Sequence, residues 1–179
     1  MFSPIDCGPI SIREFQESDL ITFTEYRSVP EIARYQSWTT YSYEDAVRLY
    51  SSMKEYSFGT LGKWFQLAIA DPSTNQLFGD LAVHFLDEDQ MEIGFTMSPN
   101  HQGKGYATLA LRHMVNYLFV ELKKHRIVAT TDVENEASCR LLERVGFRKE
   151  AHFIQNIFFR GSWGSEYLYA LLASEWNPI

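Results

Sequence analysis

A chain of 179 residues, 45% hydrophobic and 15% aromatic, is long enough for one well-filled core and argues for a single domain over residues 1–179. Its formal net charge of −7, with no long run of Lys or Arg, argues against nucleic acid as a partner and leaves a cationic or amine substrate open. No stretch reaches the roughly 18 apolar residues of a membrane helix, and "MFSPIDCGPISIREF" lacks the basic and apolar regions of a signal peptide, so a soluble, cytoplasmic protein with no membrane partner is expected.

In chain order, "ISIREF" from Ile10 alternates as a half-buried strand does, and Ser18 stands where a cap would precede a helix over "DLITFTEYR". A second helix is predicted over "SYEDAVRLYSSMKEY", with Ser42 and Asp45 forming a capping box and Ala46, Tyr50 and Met53 at helical spacing. "KWFQLAIA", "LFGDLAVHF" and "MEIGFTM", separated by the turn formers "DPSTNQ" and "DEDQ", read as an antiparallel meander. From Gly103 the period becomes helical, with Ala107, Leu111, Met114, Leu118 and Leu122 spaced over about five turns. "RIVATT" is a short strand, and "NEASCRLLERVGF" is a helix capped by Asn135 and stopped by Gly146. Two aromatic-rich strands around "RGSWG" close the chain. A strand, a long helix and a strand in sequence imply a parallel pair joined by a right-handed crossover, so the sheet is mixed.

The stretch "SPNHQGKGYATLAL", Ser98 to Leu111, puts two glycines between a strand and the longest helix. It fits neither familiar phosphate loop: Lys104 lies between the glycines and Tyr106 follows them, and the sixth residue counted from Gly103 is Thr108. What remains is Gln102, Gly105 and Ala107 at the mouth of a helix. There, unpaired N–H groups and a partial positive charge could receive a diphosphate; the other reading is a plain turn that uses glycine for its backbone angles.

Gln-x-x-Gly-x-Ala in "QGKGYA", after a strand ending "IGFTMSP", resembles the acyl-CoA signature of the GNAT superfamily of N-acetyltransferases. "NEASCRLLERVGFRKEAHF" and "RGSWGSEYLYALLASEW" resemble the segments that follow in its Rim-type branch, with Asn135, Ser138, Gly146 and Phe147 at that branch's spacing. The resemblance implies an α+β (mixed α/β) fold, a twisted mixed sheet of about seven strands with flanking helices. It also implies acetyl-CoA as co-substrate, with no metal, and transfer of its acetyl group to a primary amine, either a protein N-terminus or a small molecule, by a monomer or homodimer. In the family the fourth and fifth strands splay apart and the pantetheine arm lies between them, which here assigns Phe95, Thr96 and Met97 to the pantetheine edge. Gln102, Gly103, Lys104, Gly105, Tyr106, Ala107 and Thr108 are assigned to the diphosphate, with Asn135 and Ser138 across the gap.

Three catalytic roles need residues: a base for the amine, an oxyanion donor and an acid for the leaving thiolate. A backbone N–H near Met97 is the oxyanion candidate, and Glu92 is the candidate base through water. In much of the superfamily the acid is a tyrosine seven residues after the Asn. Leu142 stands there, and the Rim-type likeness moves the role to Ser138. Glutamates common in that branch are replaced by Leu109 and Ile157, and "Trp-x-Asp" becomes Trp163, Gly164, Ser165 with Glu166 beside it, so no acceptor carries over from the ribosomal enzymes. A binding or sensing module without turnover is the alternative. The five histidines show no metal-ligand spacing and read as surface or satisfied core residues. Cys7 and Cys139 read as free thiols, and the aromatic cluster Arg34 to Tyr43 lies where the resembling fold carries its acceptor lid.

Overall fold

The computed structural model describes residues 2–36 and 38–179. Its centre is an eight-stranded mixed sheet in the order β1-β2-β3-β4-β5-β6-β8-β7. The strands are β1 (Ile5–Asp6), β2 (Ser11–Glu14), β3 (Trp64–Ala70), β4 (Leu77–Phe85), β5 (Gln90–Met97), β6 (Arg126–Asp132), β7 (Arg148–Phe159) and β8 (Ser162–Leu172). The predicted meander is β3-β4-β5, antiparallel throughout, and among the described residues the single parallel contact is β5 with β6. The sheet has eight strands where about seven were expected. The extra strand, β1, pairs only Ile5 with Ile12 and Asp6 with Ser11, which is too short to show a period of two.

Among the described residues five α-helices flank the sheet: α1 (Leu20–Arg27), α2 (Pro30–Ala33), α3 (Tyr43–Met53), α4 (Tyr106–Asn116) and α5 (Glu136–Val145). The larger core joins Leu111, Met114 and Val115 of α4 and Leu141, Leu142 and Val145 of α5 to one face of the sheet. A smaller core packs Leu20, Phe23 and Tyr26 of α1 and Ala46 of α3 against Ala68 and Leu77 on the other.

Two caps form as the sequence indicates. Ser42 Oγ accepts the Asp45 N–H at 3.2 Å while Asp45 Oδ2 accepts the Ser42 N–H at 2.8 Å. Asn135 Oδ1 accepts the Ser138 N–H at 3.2 Å, and Gly146, at φ 112°, ends α5. Ser18 caps nothing: it lies inside a 3-10 turn, Glu17–Asp19, where the Gln16 N–H donates to Asp19 Oδ2 at 2.7 Å, and α1 begins after it. The predicted five-turn helix is α4 followed by a π turn over Tyr117–Glu121. Leu118 and Phe119 stay buried through that turn, so the apolar rhythm continues across the change of helix type.

Candidate active site at the parting of two parallel strands

β5 and β6 pair at Gln90–Arg126, Met91–Ile127 and Glu92–Val128, and there the pairing stops, although β5 runs on to Met97 and β6 to Asp132. Beyond that rung each strand is held only from its outer side, β5 by β4 and β6 by β8. The Ser98 N–H donates to the Phe78 carbonyl at 2.9 Å. Antiparallel alternation therefore turns the peptide groups of Thr96 and Gly94 toward β4 and those of Ile93, Phe95 and Met97 toward the gap. A cavity of about 720 Å³ opens here, lined by Ile93 to Thr96 on one side and by Ala129 to Asn135, Ser138 and Leu142 on the other. Phe95 and Thr96 of the predicted edge line it. Met97 does not: its side chain is buried, and its carbonyl accepts the Gln102 side-chain N–H at 3.1 Å.

The glycine loop continues from that edge. Gly103 and Gly105 have φ of 72° and 80°, the left-handed region glycine enters without cost, and a Cβ on either would meet nothing within 4 Å. Gly105 is the N-cap of α4 and supplies no capping side chain. The Leu109 N–H bonds to the Gly105 carbonyl at 3.0 Å, so the N–H groups of Tyr106, Ala107 and Thr108 precede the helical ladder. Lys104 is exposed, and Arg144, which sequence reading did not assign, donates to Thr108 Oγ1 at 3.3 Å.

On the α1 side of the sheet, Asp80 of β4 stands opposite Thr96 and is 1% exposed. It accepts from Arg27 Nη2 at 3.1 Å and also from the Tyr26 hydroxyl and the Gln66 amide. Burial, then the Asp80 charge, pushes the Tyr26 hydroxyl well above its ordinary pKa, so it stays a donor. The Arg27 guanidinium lies 4.2 Å from the Phe23 ring centre and 4.4 Å from that of Trp38. Arg27, Gln66, Trp38 and Asp80 all line the cavity. Trp38 belongs to the aromatic cluster marked out from sequence; Arg27, Gln66 and Asp80 do not, although an aspartate within the apolar run "LFGDLAVHF" is a signal, because buried carboxylates are paired.

The segment expected to form a lid bridges the cavity. Arg34 pairs with Glu134 at 3.1 Å, and the Tyr35 hydroxyl donates to the Glu134 carbonyl at 3.3 Å. Arg160, from the β7–β8 turn, donates to the carbonyls of Ala33 at 2.8 Å and Trp38 at 3.3 Å. Ser37, within the same segment, lies outside the described residues, as does Met1. Asp132 and Glu166 face each other across β6 and β8 in the cavity wall.

Ser138 sits in the first turn of α5, half-buried and facing the cavity, with its backbone N–H taken by Asn135. The buried Leu142 also lines the cavity and carries no hydroxyl. Glu92 lies on the last rung, on the face shared with Asp80 and Thr96. It is outside the cavity lining, and its Oε2 is 3.6 Å from His84 Nδ1. The reading of all five histidines as satisfied or superficial needs correcting. His84 and His101 each bury Nδ1 without a hydrogen-bond partner among the described residues, because each ring is stacked on an aromatic, Trp64 at 4.6 Å and Phe78 at 4.0 Å. Burial, then Lys104, lowers the His101 pKa and keeps that ring neutral at pH 7. Cys7 and Cys139 are both buried free thiols.

The family model described as an acetyltransferase (GNAT) domain matches residues 10–148. An uncharacterised N-acetyltransferase of Bacillus subtilis is 34% identical over 167 residues, covering 93% of this chain and 95% of that protein. The crystal structure of a GNAT-family acetyltransferase from Bacillus anthracis superposes with a TM-score of 0.86 at 30% identity, over 97% of this chain and 100% of that one. Spermidine N-acetyltransferase from Vibrio cholerae, in complex with CoA and spermine, shares the fold with a TM-score of 0.81 at 22% identity, over 93% and 97% of the two chains.

Proposed function

This chain belongs to the acetyltransferase (GNAT) family, and from that premise we propose how its residues carry out acetyl-CoA-dependent N-acetylation. The observation that carries the reading is the early end of the β5–β6 pairing at Glu92 and Val128, next to a helix whose cap is a bare glycine. The pantetheine arm pairs with the inward-facing peptide groups of Phe95 and Met97, replacing the missing strand contact. The diphosphate sits on the amides of the loop and of Tyr106, Ala107 and Thr108, with Lys104 and Arg144 as nearby cations. The whole of residues 1–179 acts as one acetyltransferase domain, as a monomer or homodimer. Its two free cysteines support a cytoplasmic, reducing setting.

The amine enters from the Asp80 side, under the segment tied down by Arg34 and Arg160. Asp132 and Glu166 give that wall a negative charge suited to an ammonium group arriving from water. Attack on the thioester carbon needs the neutral amine, and a lysine-type amine, with a pKa of about 10.4, needs more help than an α-amine near 8. Glu92 takes that proton through water, the base role proposed for it. One inward N–H near Met97, that of Phe95 deeper in the gap, holds the oxyanion, while the Met97 N–H and the Phe95 carbonyl serve the pantetheine arm. Ser138, on the positive end of α5, protonates the departing thiolate.

The acceptor is a protein N-terminal amine or a small amine such as the polyamine of the Vibrio relative. Free thiol release from acetyl-CoA, measured across a panel of N-terminal peptides and polyamines, is expected to identify it. CoA binding with no thiol released from acetyl-CoA in the presence of any of these amines would overturn the transfer reading. Glu92→Gln is expected to lower turnover about a hundredfold with CoA affinity unchanged, and native turnover would assign the proton to water alone.

A further inference from the structure

The four residues Gln102–Gly105 have few tethers of their own. Gly103 and Gly105 are exposed with open space around them, Lys104 is exposed, and the tether from Gln102 runs back to Met97. Glycine-containing loops of this kind lose much conformational entropy when they close on a ligand. The residues immediately flanking the loop behave differently. His101, just before it, stacks on Phe78 with ring centres 4.0 Å apart and planes 18° apart. Tyr106, just after it, stacks on the same ring at 5.4 Å and 11°. Phe78 is 6% exposed, and its carbonyl accepts the Ser98 N–H at 2.9 Å. One ring on β4 therefore touches both ends of the loop, and the backbone of the same residue is bonded to the end of β5.

We propose that Phe78 is the positioning residue of the diphosphate seat, pinning both ends of the glycine loop through His101 and Tyr106 so that its amides are arranged before the ligand arrives. The inference rests on the reading of this loop as the diphosphate site. Phe78 touches no ligand in this scheme and acts only through the two rings. Because the effect belongs to the diphosphate end, it weakens the whole of CoA and its nucleotide half, 3′-phospho-ADP, by the same factor.

The test is calorimetric titration of both probes into the full chain, alongside thermal unfolding and hydrogen exchange of the ligand-free loop. Phe78→Leu is expected to raise both dissociation constants about tenfold, the scale of the lost ring pairing with His101 and Tyr106 together, and to speed exchange at Gly103 to Ala107. Phe78→Tyr restores both readouts. His101→Ala, which removes the ring least important to the core, is expected to weaken both probes severalfold with an unchanged melting temperature, and it carries the test if Phe78→Leu does not fold. A fall in melting temperature with unchanged affinity and exchange would make Phe78 a core residue only and overturn the proposal. Gly105→Asp separates this failure from failure of the underlying reading: if it binds CoA as the native chain does, the loop is not the diphosphate seat. If it loses CoA while the Phe78 and His101 variants bind normally, the seat stands and the clamp does not.

Discussion

Gly79 lies opposite Met97 with no room for a side chain between them: a Cβ on Gly79 would come within 2.8 Å of Met97 Sδ and 3.0 Å of Met97 Cα, and closer still to the Thr96 carbonyl oxygen. Phe78 and Ser98 form a hydrogen-bonded rung, so Gly79 and Met97 form the close, non-hydrogen-bonded rung beside it. Two of the three obstacles are backbone atoms of the edge assigned to pantetheine. Gly79→Ala is therefore expected to push Thr96 and Met97 toward the gap, costing about 1–3 kcal/mol of stability by overpacking. At Gly94 the nearest atom is Ala82 Cβ at 3.6 Å, and Gly94→Ala is expected to be the milder variant by urea denaturation. Equal losses at the two positions would show that the β4–β5 spacing is not tight.

Ser138 sits where the first turn of α5 meets the cavity, and its N–H already binds Asn135. Ser138→Ala keeps that cap intact, because the bond is made by the backbone. Turnover is expected to fall about a hundredfold, the scale of a lost general acid, with CoA affinity unchanged in calorimetry. Native turnover in this variant would leave thiolate protonation to water.

What the sequence discloses about this site divides by range. The caps at Ser42 and Asn135 and the stop at Gly146 are interactions within three or four residues, and each is visible as a residue type at a fixed offset. The fork was reachable only through a family resemblance, since nothing in "MEIGFTM" or "RIVATT" says that their pairing ends after three rungs. The Asp80 cluster joins side chains from α1, β3 and β4, with Tyr26 and Arg27 more than fifty positions away in sequence. No local pattern encodes that meeting. The π turn after α4 escapes for another reason: its buried residues keep the helical rhythm while the hydrogen bonding changes, as in the Leu122 N–H to Tyr117 carbonyl bond at 3.1 Å.

Away from the site, Glu150 ties β7 to β6 and to its own strand. Its carboxylate receives Arg126 at 3.0 and 2.5 Å and Arg148 at 2.5 Å, and these bonds, that to Arg126 foremost, hold its pKa at about 2 against an ordinary 4.5. A depressed acid pKa stabilises the folded state fully above 4.5 and loses that contribution as the pH falls toward 2. Glu150→Gln is expected to cost about 1 kcal/mol at neutral pH, since the network is partly exposed. Denaturation curves of the two proteins should converge between pH 4.5 and about 2. A gap independent of pH would mean that the loss comes from packing and not from charge.

The strongest test of the loop separates backbone shape from charge at Gly105. Its φ of 80° belongs to the left-handed region, where asparagine and aspartate are the least strained replacements for glycine. A Cβ there meets no atom within 4 Å, so both substitutions start from open space in the free chain. Both also place a capping oxygen at the start of α4, where a carboxylate is if anything favoured by the helix dipole. Gly105→Asn and Gly105→Asp should accordingly fold with similar stability, the aspartate slightly ahead. Binding should diverge in the opposite direction. The asparagine only crowds a diphosphate, whereas the aspartate adds a negative charge a few ångströms from it and competes for the same amide donors. CoA affinity is expected to fall several-fold in Gly105→Asn and at least a hundredfold in Gly105→Asp, with the gap between them narrowing as salt is raised. If the two variants bind CoA alike at low salt, the anion does not rest on this helix.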